Sequence, residues 1–276
     1  MTSTTFLLYN GRLLPEAAFA LPLPNRGLSF NDGFFETLVW SQGRLRYAEQ
    51  HARRMQQAAA VLGLELPEAI STAQLEAALS QLAQAQQLPQ VRMRVQLWRA
   101  GAGLYTPESQ EAEWLATSQP FQANDTPVQR ADFAKTVQTQ VSPVSFCKGP
   151  NALLYVMAAR ERQQRGLDDL VLLSVAGYVA ETISAAIFWV KDKQLYTPAL
   201  TTGCVAGVRR AHLLQVARQQ DIECHEVLAR PEEVQRADAV FSANVAGIRW
   251  IKQLGTTCWE AEHPLLSQLR HWEAQP

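Results

Sequence analysis

Residues 118–128, SQPFQANDTPV, interrupt the alternation of apolar runs that fills the rest of the chain. Two prolines and an Asn-Asp pair sit there with no periodic apolar face, so neither a helix nor a strand ladder continues through them. The chain of 276 residues is therefore expected to divide into a small α+β domain over 1–117, a linker over 118–128 and a larger domain over 129–276.

Both parts mix strands with helices. FLLYNGRLL reads as a hairpin, because Asn10-Gly11 tolerates positive φ between apolar flanks. FFETLVW (34–40), SQG and RLRY form a second hairpin around Gly43. Residues 48–62 place Met55, Ala59 and Leu62 at helical spacing, and Leu75, Leu79 and Leu82 do the same in an Ala/Gln-rich stretch. VRMRVQLWRA (91–100) alternates apolar and basic residues, as a half-exposed strand does. After the interruption come a strand (AKTVQTQV), a helix near 150–165, a strand (LVLLSV), a hairpin (AAIFWV–KDK–QLYTP), a helix from Val208 and a strand near 239. The tail offers an apolar helix face of Leu265, Leu266 and Leu269, read as core. The fold class is α/β (α+β).

Charge excludes some partners. Lys plus Arg is 25 against 26 Asp plus Glu, a formal charge of −1, which argues against nucleic acid or an anionic membrane as the main partner. No apolar run is long enough to span a bilayer, and the opening MTSTTFLLYNGRLL lacks the basic start of a signal peptide. The four cysteines, Cys147, Cys204, Cys224 and Cys258, are scattered, with neither metal-binding nor disulfide-framework spacing. The expectation is a cytoplasmic protein without a metal.

Three segments combine polar groups with tight turns. In VSPVSFCKGPN (141–151), Lys148 lies between an apolar run and Gly149-Pro150, where desolvation would make its amine nucleophilic. In GYVAETISAAIFWV (177–190), Glu181 has no basic residue within three positions. A buried carboxylate there needs a partner such as a protonated ring nitrogen. In TTGCVAGVRRAHLL (201–214), Gly203 and Gly207 flank a loop that runs into a helix start, a place that favours phosphate. His51 and His212 fall on expected helices and are read as structural.

Taken in order, RGLSFNDGFFETL (26–38), HARRM (51–55), KGPN (148–151), VAE (179–181), IFWVKDKQLYTP (187–198), GCVAGVRR (203–210) and FSAN (241–244) resemble the class IV aminotransferase family, the fold-type IV pyridoxal-phosphate (PLP) enzymes. The resemblance implies a two-domain fold, a homodimer, a small-molecule amine substrate and pyridoxal 5'-phosphate near the domain junction, held mainly by the larger domain. Lys148 matches the catalytic lysine that forms the internal aldimine, and Glu181 the carboxylate on the pyridine nitrogen. Arg54 matches the arginine on the cofactor phosphate, and the backbone of Val208 and Arg209 the amides at the same group. Asn244 falls where the family places a polar residue beside the phosphate.

The reaction is left open between two branches of aldimine and quinonoid chemistry. Lys148 is followed by GPNALLY, without the tyrosine that branched-chain aminotransferases carry there, and the late motif is SANVAGI. The loop WRAGAGLYTPES lacks the Arg-x-His pair of the D-amino-acid type. The sequence looks more like the aminodeoxychorismate lyase type, which serves folate biosynthesis, with Leu104 between Gly103 and Tyr105 in a Gly-x-Tyr-like loop that lacks the usual preceding arginine. The alternative is an amino-acid aminotransferase using 2-oxoglutarate. Tyr105, Arg99 and Phe35 are candidates for the substrate, and Arg92 and Arg94 for a substrate carboxylate.

Overall fold

The computed structural model describes residues 5–71 and 73–273; residues 1–4 of the leader reading lie outside the described residues. The chain forms two compact units: Met1–Gln122 with Cys147–Pro150, and Ala123–Phe146 with Asn151–Pro276.

The first unit contains β1 (Phe6–Tyr9), β2 (Arg12–Pro15), α1 (Arg26–Phe30), β3 (Gly33–Ser41), β4 (Arg44–Leu45), α2 (Ala48–Leu62), α3 (Leu75–Gln86), β5 (Gln90–Arg99) and β6 (Ala112–Pro120). Because β6 runs to Pro120, the first three residues of the expected 118–128 linker are strand. The strands make one sheet in the order β2-β1-β6-β5-β3-β4, every pair antiparallel. Asn10 and Gly11 both take positive φ in the β1–β2 turn, the geometry that matches the strand twist. Along β5 the period of two is sharp: Val91, Met93, Val95 and Leu97 are buried, while Arg92 and Arg94 are exposed. Buried residues of α2 (Ala52, Met55, Ala58, Ala59) and α3 (Leu75, Leu79, Leu82) complete this core.

The second unit contains β7 (Ala131–Thr139), α4 (Ala152–Gln164), β8 (Asp169–Ser174), β9 (Val179–Thr182), β10 (Ala186–Lys191), β11 (Gln194–Pro198), α5 (Val208–Gln219), β12 (Cys224–Val227), α6 (Pro231–Gln235), β13 (Ala239–Asn244), β14 (Gly247–Ile251), β15 (Gln253–Leu254), β16 (Thr257–Cys258) and α7 (Pro264–Glu273). They build two five-stranded sheets, β12-β11-β10-β13-β14 and β16-β15-β7-β8-β9. The unbroken apolar run of β10 has a direct cause. Phe188 and Val190 pack with Leu213 and Leu214 of α5 and with Leu265, Leu266 and Leu269 of α7, while Ile187 and Trp189 pack with Val171 and Val179 of the other sheet. A strand covered on both faces has no place for a polar alternation.

The parallel pair β7–β8 loses register between Phe133 and Gln138. There Glu161 of α4 takes over from the ladder. Its carboxylate accepts from the N–H groups of Lys135 (3.0 Å) and Thr136 (2.9 Å), from Thr136 Oγ1 (2.6 Å) and from Arg165 Nη1 (2.7 Å). Burial pushes its pKa up, but these donors outweigh it and hold Glu161 down to about 2.

Candidate active site

Lys148 lies in the crossover between β7 and α4, yet its tetrapeptide Cys147–Pro150 groups with the first unit. Hydrogen bonds explain the allegiance. The Phe35 N–H donates to the Lys148 carbonyl at 2.8 Å, and Asn31 Nδ2 donates to the Gly149 carbonyl at 2.9 Å. Gly149 has φ +130°, and a Cβ there would meet Phe34 Cα at 2.9 Å, so only glycine permits the approach. The lysine loop is thus stitched to the start of β3.

Behind that strand lies a buried ionic cluster. Glu36 occupies an inward position in FFETLVW, between Phe34 and Leu38, where alternation demands an apolar residue. Arg54 and His51 stand three residues apart on the buried face of α2. Arg54 donates from Nε to Glu36 Oε1 at 2.7 Å and from Nη2 to Oε2 at 2.5 Å, and His51 Nδ1 lies 2.7 Å from Oε2. Burial would raise the Glu36 pKa; the Arg54 charge and His51 overcome it and bring it to about 2. Burial, with the Arg54 and Lys148 charges, depresses His51 against the pull of Glu36. Imidazole in its neutral form then donates from Nδ1 to the carboxylate. Arg54 is held in place by Glu36 through two of its nitrogens, a detail that motif matching alone does not reveal. Cys147, next to Lys148, is buried and its thiol is pushed up to about 11, which keeps it a thiol at neutral pH.

In the second unit, Glu181 sits on β9, 4% exposed. Tyr155 of α4 donates its hydroxyl to Glu181 Oε1 at 2.8 Å, and the Val205 N–H reaches the same oxygen at 3.1 Å. Val205 belongs to the loop that enters α5. Gly203, φ +82°, packs so closely on Gln140 that a Cβ would come within 2.5 Å of its backbone carbon. Gly207 precedes α5, and the first-turn amides of Val208 and Arg209 stand at the end of a 12-residue helix that favours an anion. The Arg209 side chain is committed elsewhere: Nε donates to Glu273 at 2.9 Å, Nη2 pairs with the same carboxylate, and Nη1 donates to the Asn244 carbonyl at 2.7 Å. Asn244 braces its own turn, donating to the Ser184 carbonyl at 3.2 Å and accepting from the Ala246 N–H at 2.8 Å.

The substrate candidates differ in kind. Arg99 is buried; its guanidinium donates to Asp32 and to the Gly63 and Leu62 carbonyls, so it caps the end of α2. Tyr105 is 91% exposed, on a loop whose Ala102, Gly103 and Leu104 carbonyls accept from Arg26 Nη1. Phe35 is half-buried and carries the Arg94 guanidinium 3.6 Å from its ring centroid. Desolvation and the neighbouring Arg92 charge lower the Arg94 pKa.

Each unit carries groups of the kind that a phosphorylated pyridine aldehyde can bind: the first an amine at Lys148 and the guanidinium of Arg54, the second a buried carboxylate at Glu181 and a glycine-entered helix start. Glu36 and Tyr155 were not among the residues singled out from sequence. The signal for Glu36 is a charge at an inward strand position; for Tyr155 there is none, since its partner lies 26 residues away on another element.

The family model "Amino-transferase class IV" matches residues 33–254. The D-alanine aminotransferase of Bacillus licheniformis is 27% identical over 85% of this chain and 83% of its own length. The aminodeoxychorismate lyase of Vibrio harveyi is 26% identical, covering 81% of this chain and 83% of that protein. Among solved structures, the branched-chain aminotransferase of Thermoproteus uzoniensis superposes with a TM-score of 0.89 at 21% identity, covering 98% of this chain and 94% of that one. A putative 4-amino-4-deoxychorismate lyase from Legionella pneumophila gives 0.84 at 24% identity, covering 93% and 95%. These likenesses show a fold-type IV architecture with mixed sheets and helices. The chain belongs to the class IV aminotransferases, PLP-dependent enzymes that act as transaminases or lyases.

Proposed function

We propose that the enzyme is a lyase that releases pyruvate from 4-amino-4-deoxychorismate and leaves 4-aminobenzoate, a step of folate biosynthesis. The observation that carries this reading is the Phe35–Arg94 pair, in which the Phe35 N–H donates to the Lys148 carbonyl. A guanidinium 3.6 Å over an aromatic face offers both a flat apolar surface and a charge, which suits a ring-borne carboxylate. The Phe35 N–H bond to the Lys148 carbonyl ties the backbone that carries this ring to the backbone of the lysine. The absence of an Arg-x-His pair in WRAGAGLYTPES supports the same reading, and Arg99 is occupied as a helix cap.

Bound PLP supplies an aldehyde for the substrate amine and a ring that accepts electrons. Lys148 holds the cofactor, and its released amine takes the proton from the carbon that bears the substrate nitrogen. That proton is returned to the methylene of the departing enolpyruvyl group, so the products are the aromatic amine and pyruvate. Glu181 holds a proton at the ring nitrogen. Arg54 and the Val208 and Arg209 amides bind the phosphate, with Asn244 bracing the neighbouring turn. Arg94 binds the ring carboxylate against Phe35. The protein acts as a cytoplasmic homodimer.

Purified enzyme with 4-amino-4-deoxychorismate should yield equal amounts of 4-aminobenzoate and pyruvate without an amino acceptor. The second reading, an amino-acid aminotransferase, has support in the D-alanine aminotransferase relative. Amino transfer from an amino acid to 2-oxoglutarate, without 4-aminobenzoate formation, would establish that reading and exclude the lyase. Lys148→Ala should lose the cofactor trapped by borohydride and slow turnover by about 10²–10⁴-fold.

A further inference from the structure

Tyr155 has no counterpart among the motif residues that carry the family resemblance, yet its hydroxyl meets a deeply buried cofactor candidate. We propose that Tyr155 is a positioning residue for Glu181, fixing the rotation of its carboxylate and keeping it ionised toward the PLP ring nitrogen. The inference rests on the assignment of Glu181 to that nitrogen.

The setting supports it. Glu181 is 4% exposed on β9, and a carboxylate at that depth stays charged only where donors reach it. Two donors converge on one oxygen, the Tyr155 hydroxyl at 2.8 Å and the Val205 N–H at 3.1 Å. The backbone amide is supplied by the course of the loop, whereas the phenol is a side-chain donor that a substitution can remove. Neighbouring Leu153, Val156 and Met157 on α4 are 70%, 62% and 48% exposed, whereas the Tyr155 ring is half-buried. The tyrosine, with Leu154, thus lies on the less exposed side of this turn. Tyr155 also lies on the helix entered directly from the Lys148 loop, so one short segment carries both the amine and the brace of the carboxylate.

A proton shared between Glu181 and the ring nitrogen sits on whichever is more basic. Hydrogen bonds to the carboxylate lower its basicity and leave the proton on the ring. Removing the hydroxyl makes the carboxylate more basic and less well oriented, with a change in both cofactor affinity and cofactor spectrum.

The test uses the full-length protein loaded with PLP. Tyr155→Phe keeps the ring and its packing but removes the donor. It should weaken PLP binding by about tenfold and shift the pH midpoint of the bound cofactor's visible band. In a Glu181→Ala background the same substitution should change neither quantity further. Tyr155→Phe with unchanged affinity and spectrum overturns the inference, as does an equal effect in both backgrounds. Wild-type protein that takes up PLP but whose spectrum is unaltered by Glu181→Ala overturns the assignment of Glu181 itself, a distinct failure.

Discussion

Glu36 in the first unit and Glu181 in the second are both buried carboxylates, and their surroundings differ. Glu36 is met by a guanidinium and an imidazole; Glu181 receives a phenol and a backbone amide. The first arrangement exchanges one buried charge for another and depends on Arg54 remaining beside it. The second brings a hydroxyl and an amide dipole to the carboxylate. An ionic lock suits a residue that must stay put, and a dipolar cradle suits one that must meet a ligand.

The largest effect should come from breaking the lock. Glu36→Gln leaves Arg54 buried without its carboxylate and should cost about 3–5 kcal/mol of stability, read from urea unfolding. Glu181→Gln keeps an acceptor for Tyr155 and Val205 and should cost about 1 kcal/mol or less. Equal losses would erase the distinction. Glu161 is an intermediate case, held by backbone amides and a hydroxyl but also by Arg165. Glu161→Gln brings an NH₂ against the Lys135 and Thr136 amides and should cost about 2 kcal/mol.

Acid should sharpen the contrast further. Glu36 and Glu161 both have folded pKa values near 2, below the ordinary 4.5. Their contribution is therefore present above pH 4.5 and is lost as pH falls from there toward 2. His51 has a folded pKa depressed below 6.5, so the unfolded chain gains its proton first and stability falls as pH drops below that value. That slope is at most about 1.4 kcal/mol per pH unit. His51→Asn, which keeps a neutral donor but does not titrate, should flatten the decline between pH 7 and 5 seen by urea titration at each pH.

Much of the fold was legible because it rests on local periodicity. The alternation of β5, the doubly covered run of β10 and the Asn10-Gly11 turn each carry their geometry in a few adjacent residues. Glu181 was legible as a carboxylate placed where solvation would be poor, and it is buried, whereas Lys148 is half-buried. What escaped was long-range. Arg99 looks like a spare cation at a strand end, and only the nearby end of α2 makes it a cap. Glu36 reads as one charge in a motif until Arg54 and His51 are brought against it. The grouping of Cys147–Pro150 with distant β3 depends on backbone bonds that no local pattern encodes.

That grouping means the backbone passes from one unit to the other three times, after Gln122, after Phe146 and after Pro150. No single cut separates the units as intact modules. A fragment ending at Gln122 lacks the lysine tetrapeptide of its own unit, and its complement retains that tetrapeptide without the β3 scaffold. Gene shuffling with one crossover near the linker would therefore pair a lysine loop from one parent with a β3 seat from the other. Chimeras that preserve this seam need two further junctions, flanking Cys147–Pro150.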